Sequence, residues 1–208
     1  GYYVSDGTVI NYGLELHNCD ITGNGEAGTS PVYGLRVRGV QDFVLTNCTI
    51  HDIITNADSV GVGFRDGNST NVWIENVEVY NMYDGEAPQN SDSDGFFLNY
   101  GKYTNFTMIN TSSHDNSEDG YDLTGDVTII NSKSYNNHGA GIKIWRRNNP
   151  TIPSYLNDNF HPRFLTVINS IIYNNGYYAP DPSDSNPGIK VSYGAGLNVS
   201  NSVIFNNY

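Results

Sequence analysis

Gly34-Leu35-Arg36-Val37, Gly61-Val62-Gly63-Phe64, Gly95-Phe96-Phe97-Leu98, Gly120-Tyr121-Asp122-Leu123, Gly141-Ile142-Lys143-Ile144 and Gly188-Ile189-Lys190-Val191 repeat one pattern, glycine–apolar–variable–apolar. A second pattern runs between them, apolar–x–apolar–x–Asn–small–x–apolar, with its asparagines at Asn18, Asn47, Asn76, Asn110, Asn131, Asn169 and Asn201. Self-similarity at this spacing marks a solenoid, and the content of each unit decides its kind. Each unit alternates with period two, is rich in β-branched residues, and is bounded by Asn, Gly and Asp. No segment sustains a helical period. The expected fold is therefore all-β, a right-handed parallel β-helix of about seven coils forming a single domain over residues 1–208.

In such a solenoid, equivalent strands stack about 4.8 Å apart. The apolar positions of each repeat point inward and the variable position points outward. Arg36, Gly63, Phe97, Asp122, Lys143 and Lys190 should thus form one outward column. Tyr33, Val60, Asp94, Asp119, Ala140 and Pro187, each just before a glycine, should form its neighbour. The asparagines should form a ladder at a bend between strands. Cys19 and Cys48 each follow a ladder asparagine and should stack on adjacent coils. Both a disulfide and two buried thiols fit that placement. Longer insertions are expected at 22–32, 82–93, 146–163 and 174–187.

Of the 208 residues, 22 are Asp or Glu and 10 are Lys or Arg, a formal charge of −12. That balance opposes unspecific binding to nucleic acid or to an anionic membrane. It also opposes an acidic substrate, unless a cation mediates. No apolar run is long enough to span a bilayer. Neither end carries a polar cap of the kind solenoids use to cover terminal strands, so a piece of a longer helix is expected, open to end-to-end self-association.

The chemistry concentrates in Asn90-Ser91-Asp92-Ser93-Asp94-Gly95-Phe96 and Asn116-Ser117-Glu118-Asp119-Gly120-Tyr121-Asp122. Aligning the glycines places Asp94 beside Asp119, with Glu118 and Asp122 flanking. Converging carboxylates raise one another's pKa, and a hard divalent cation relieves the repulsion. Oxygen ligands without thiolate or paired imidazole favour Ca²⁺ over Zn²⁺. Asp-Gly is also an ordinary turn sequence, so a solvated acidic turn is the competing reading. Lys143 follows Asp122 in the outward column. It could pair with Asp122 across the strands. With a cation and Arg146 and Arg147 nearby, it could instead lose its proton and serve as a base. Carboxylates alone would have the opposite effect.

The run Asp94-Gly95-Phe96, the run ending Glu118-Asp119-Gly120-Tyr121-Asp122, and Gly141-Ile142-Lys143 together resemble the core of polysaccharide lyase family 9, the calcium-dependent pectate lyases on a right-handed β-helix. The likeness covers about 55 of the 208 residues. It implies Asp94, Glu118, Asp119 and Asp122 as Ca²⁺ ligands and Lys143 as catalytic base. It departs from the family at Glu118, where Asp is usual, and at Ile144-Trp145-Arg146-Arg147, which replaces a small, glycine-rich stretch. The implied substrate is an acidic polysaccharide and the implied setting extracellular, secreted or at the cell surface. Arg146 or Arg147 could hold a substrate carboxylate, and Phe97, Tyr100 or Trp145 could offer apolar faces to sugar rings, with simple packing the competing and more ordinary role for each aromatic. Two alternatives stand beside the lyase. One is a β-helical glycoside hydrolase using Asp94, Asp119 and Asp122 as acid and base. The other is a non-catalytic adhesin, surface or fibre protein with a structural calcium. His114, His138 and His161 are further acid–base candidates, but their scattered repeat positions read as solvated turn residues.

Overall fold

The computed structural model of the chain describes residues 11–24, 31–55, 58–65, 67–84, 93–99, 101–145, 163–177, 186–192 and 194–208. Among these, every regular element is a β-strand and every strand pair is parallel. The chain winds as a right-handed parallel β-helix. Successive coils take 29, 34, 21, 38 and 32 residues between stacked asparagines.

One face is a six-stranded sheet of Val32–Val37, Ser59–Arg65, Phe96–Asn99, Tyr121–Leu123, Ile142–Trp145 and Ile189–Ser192, stacked in that order. These are the glycine repeats. Their register pairs Arg36 with Gly63, Gly63 with Phe97, Phe97 with Asp122, Asp122 with Lys143, and Lys143 with Lys190. The column read from the sequence is therefore the column of the fold. The glycines are needed where coils press together. A Cβ on Gly120 would lie 2.6 Å from the Gly141 carbonyl oxygen and collide with Ser134 Oγ. That serine hydroxyl donates to the Gly141 carbonyl at 2.7 Å, and Ser113 does the same to Gly120.

The other faces belong to a larger sheet built on two long strands, Val40–Ile54 and Ser69–Tyr83. Later coils divide the same path, as in Tyr103–Ile109 and Ser112–His114. The bends fall on left-handed residues. Asn18, Asn47, Asn76, Asn110, Asn131, Asn169 and Asn201 all have φ between 49° and 55°, a region where a short amide side chain is tolerated. Their side chains link coil to coil, with Asn76 donating to Asn47 and Asn110 to Asn76 at 3.1 Å each. Two further left-handed columns escaped the sequence reading. One is Asp42, Asn71 and Asn105; the other is Asp52, Asn81, Asp115, Asn136, Asn174 and Asn206. Cys19 and Cys48 stack as expected, and both are free thiols.

The core fills the space between the sheets. Phe43, Phe64, Phe106 and Tyr103 meet edge to face at 5.0–5.6 Å, and Phe96 stacks on Tyr121 at 4.9 Å. On the outer surface His51, Tyr80, His114, Tyr135, Tyr173 and Phe205 form a continuous stack with centroid spacings of 4.4–5.2 Å. His114 is thus not a solvated turn residue. It lies between two tyrosines in the strand Ser112–His114, with Glu78 and Asp115 on its two ring nitrogens. His161 lies outside the described residues. So do most of the expected insertions, although the strands Asp20–Asn24 and Ser69–Tyr83 run further into two of them than the sequence suggested.

Candidate metal and catalytic site

The site grows from the turns entering the six-stranded sheet. Asp94 and Asp119 stand just before Gly95 and Gly120, where each turn hands its chain to a strand. Backbone bonds fix their stacking: Gly61 N–H donates to the Asp94 carbonyl and Gly95 N–H to the Asp119 carbonyl. Each carboxylate then reaches up one coil. Asp94 Oδ1 accepts the Asp119 N–H at 3.0 Å, and Asp119 Oδ1 accepts the Ala140 N–H at 2.6 Å. Asp122 lies two residues beyond Gly120, in the strand Tyr121–Leu123, where its carboxylate meets Lys143 of the next coil.

One oxygen from each of Asp94, Asp119 and Asp122 comes within 4.8 Å of the other two. All three residues are buried, at 0%, 3% and 3% exposure. Lys143 Nζ lies 3.0 Å from Asp119 Oδ2 and 3.0 Å from Asp122 Oδ2. The indole N–H of Trp145 donates to Asp122 Oδ1. Asp94 Oδ2 is buried with no hydrogen-bond partner, an arrangement a folded chain rarely leaves unanswered.

The electrostatics follow. Burial pushes the Asp94 pKa well above the ordinary carboxylate value, and the charges of Glu118, Asp122 and Asp119 push it further. Burial also raises Asp122, against the pull of Lys143, to about 6. For Lys143, burial works against the ammonium, but Asp119, Asp122, Glu118 and Asp94 together outweigh it and hold the proton on more tightly than usual. Held against these carboxylates, the lysine favours its ammonium form.

Four of the residues singled out from the sequence meet. Asp94, Asp119, Asp122 and Lys143 converge. Glu118 is half-buried at their edge. It acts on Asp94 through its charge and is not one of the three converging carboxylates. Phe97 keeps its column position but is buried at 1% exposure, so its ring offers no open face to a sugar. Period-two alternation gave the direction of its Cβ and could not report what lies over it. The neighbouring Gly63 is covered likewise, since a Cβ there would collide with the Tyr33 ring. Trp145 is present and half-buried, and its N–H is committed to Asp122. Tyr100, Arg146 and Arg147 lie outside the described residues.

The sequence reading missed the device that holds these turns. Asn116, Asn137, Asn175 and Asn207 form a second amide ladder, largely buried, with Nδ2 to Oδ1 distances of 2.8, 2.8 and 2.9 Å. The doublets Asp115-Asn116, Asn136-Asn137, Asn174-Asn175 and Asn206-Asn207 are its signal. The first member of each turns the chain at positive φ, and the second points inward to bond its neighbours. Beside this ladder, His138 is half-buried against the edge of Tyr177 at 4.6 Å, and burial lowers its pKa.

The family model described as right handed beta helix region matches residues 33–208. The chain belongs to that family. No curated protein matches it. Among solved structures, this β-helix is similar to one described as the crystal structure of pectate lyase Pel9A, at 17% identity and a TM-score of 0.44. The alignment covers 97% of this chain and 57% of that one, so this β-helix spans a little over half the length of its solved neighbour. Among the described residues, no helix is long and apolar enough to cross a membrane.

Proposed function

We propose that this β-helix is a calcium-dependent polysaccharide lyase of the family 9 type, cleaving a pectate-like uronic acid polymer by β-elimination. The observation that carries the reading is the convergence of Asp94, Asp119 and Asp122, with one Asp94 oxygen buried and unanswered and a lysine bonded to the other two aspartates. The donor set is all oxygen and strongly anionic, which suits a hard divalent cation. Asp94, Asp119 and Asp122 would hold it, with Glu118 alongside. Bound there, Ca²⁺ would supply positive charge for the substrate carboxylate and for the negative charge that builds up on it.

Lys143 is the candidate base, because its Nζ is the basic group held against the cluster and its side chain remains partly open to solvent. Acting as a base, Nζ takes the proton at C5 of the uronate. The C5–H electron pair becomes a C4–C5 double bond, and the C4–oxygen bond breaks to release the other half of the polymer. A lysine can do this only once it is neutral. The bonds to Asp119 and Asp122 oppose that, so elimination should require counter-charge at the carboxylates. Trp145 steadies Asp122 through its indole N–H. Arg146 and Arg147 remain candidates for holding a neighbouring uronate. Extracellular action on an acidic polymer belongs to the same proposal.

The test is the ultraviolet absorbance of the new conjugated double bond when the protein meets polygalacturonate, alginate or rhamnogalacturonan, with Ca²⁺ or with chelator. A calcium-dependent rise that Lys143→Ala abolishes supports the lyase. The near-complete burial of all three aspartates favours one other reading, a structural cation clamp in a non-catalytic solenoid. Calcium binding with no absorbance change on any polymer would select it.

A further inference from the structure

We infer that Lys143 is the resident counter-cation of the carboxylate cluster and that a divalent cation must displace its ammonium group from Asp119 and Asp122 to enter. The inference rests on reading the cluster as a cation site, and it concerns what fills that site beforehand.

One oxygen of each aspartate already accepts an N–H. Asp94 Oδ1 accepts the Asp119 N–H, Asp119 Oδ1 accepts the Ala140 N–H, and Asp122 Oδ1 accepts the Trp145 indole N–H. The remaining oxygens are Asp94 Oδ2, Asp119 Oδ2 and Asp122 Oδ2. The first has no partner, and the other two share Lys143 Nζ at 3.0 Å each. A cation that uses all three aspartates through these oxygens therefore arrives where the ammonium is bound. Calcium sits about 2.3–2.6 Å from its oxygen ligands. Sharing both oxygens would leave two positive centres within a few ångströms of each other in a buried setting, where their repulsion is poorly screened.

Two consequences follow. The metal-free chain tolerates buried carboxylates because a cation of its own lies against two of them. The same occupancy weakens metal binding, since part of the metal's attraction replaces bonds that already exist. Asp122 need not follow the departing ammonium, because Trp145 tethers its other oxygen. Admission of the metal and release of the lysine nitrogen toward solvent are then one event. An empty site keeps Lys143 engaged, and an occupied site frees it.

The experiment is calorimetric titration of the metal-free protein with Ca²⁺ alone, at one pH and low ionic strength, for wild type, Lys143→Met, Lys143→Arg and Asp94→Asn. Methionine keeps the unbranched stem without the charge, and arginine keeps the charge. Lys143→Met should bind Ca²⁺ more tightly than wild type, on the order of tenfold, while Lys143→Arg should gain nothing comparable. Asp94→Asn, which removes a ligand, should bind more weakly than wild type. In chelator, Lys143→Met should also melt below wild type and recover more than wild type on adding Ca²⁺. If Lys143→Met does not fold without metal, Lys143→Gln carries the same comparison. Calcium binding by wild type that is unchanged or weaker in the neutral Lys143 variants overturns this inference and leaves the cation site standing. No Ca²⁺ binding by wild type or by any variant overturns the cation site, and this inference with it.

Discussion

Two columns of stacked side chains climb this solenoid next to each other, one of amides and one of carboxylates. Asn116, Asn137, Asn175 and Asn207 each present a donor and an acceptor, so every rung bonds to the next at 2.8–2.9 Å. Asp94 and Asp119, at the neighbouring turn position, also reach up one coil, but only as acceptors, of backbone N–H groups and, for Asp119, of the Lys143 ammonium. An ionised carboxylate accepts and cannot donate. Stacking amides therefore satisfies them, whereas stacking carboxylates accumulates charge and leaves Asp94 Oδ2 unanswered. Similar coil geometry gives a self-sufficient ladder in one column and a demand for a cation in the other. The amides hold the turns in place, and the acids placed by those turns supply the chemistry.

The comparison breaks most visibly at Asn137. Its Oδ1 accepts from Asn116, and its Nδ2 donates to Asn175 Oδ1, the Ser113 carbonyl and Ser134 Oγ, all within the core. Asn137→Leu strands several buried polar groups at once. Each costs about 1–3 kcal/mol, so a loss of roughly 4 kcal/mol is expected in urea unfolding. The loss should be the same with Ca²⁺ or with chelator, because the ladder needs no metal. A loss below about 1 kcal/mol would mean that the amides are incidental to stability.

Asp94→Asn should act in the opposite direction. The new side chain keeps an oxygen for the Asp119 N–H and replaces the orphaned Asp94 Oδ2 with a donor facing carboxylates. Burial and the neighbouring acids already favour a neutral Asp94, and the amide resembles that neutral form. In chelator the variant should gain about 1 kcal/mol over wild type. The stabilisation by Ca²⁺, read as a shift in melting temperature, should largely disappear. Destabilisation in chelator would contradict the view that this carboxylate is a strained member of its column.

How much of this was legible follows from what each signal encodes. The glycine repeats carry the register, so the sequence alone places Asp94, Asp119, Asp122 and Lys143 together. Lys143 was expected against Asp122 alone. Its bond to Asp119 depends on how far the side chain reaches across two columns, which register does not describe. Alternation reports the direction of a Cβ and nothing about what covers it, so it leaves Phe97 open to both a sugar platform and simple packing, and burial decides for packing. The buried amide ladder was missed for a different reason. Asparagine before a glycine turn reads first as a turn former, and in the doublets only the first residue has that role.

A third column, the ring stack from His51 to Phe205, sharpens the comparison at the smallest scale. There the chain pairs a titratable group with acids instead of leaving the acids to repel. His51 Nδ1 lies 2.8 Å from Asp52 Oδ2, and Nε2 lies 2.9 Å from Asp20 Oδ1. Two carboxylates on two ring nitrogens are both satisfied only by the imidazolium, which donates from each. The bond to Asp52 accordingly raises the His51 pKa above its ordinary 6.5, against a smaller burial effect and with further help from Asp20. The sign follows from proton linkage. Stability from a raised histidine is fully present below the unfolded value and is lost as pH climbs through the folded one. Wild type should therefore lose some of its advantage over His51→Gln as pH climbs from below 6.5 into the alkaline range, read as the difference in urea midpoints at each pH. Comparing the two proteins removes the other histidines, including His138, whose lowered pKa acts in the opposite sense. A difference that stays constant across that range would show that the imidazole contributes by stacking on Tyr80 alone, and that charge pairing in this column is no part of what holds the coils together.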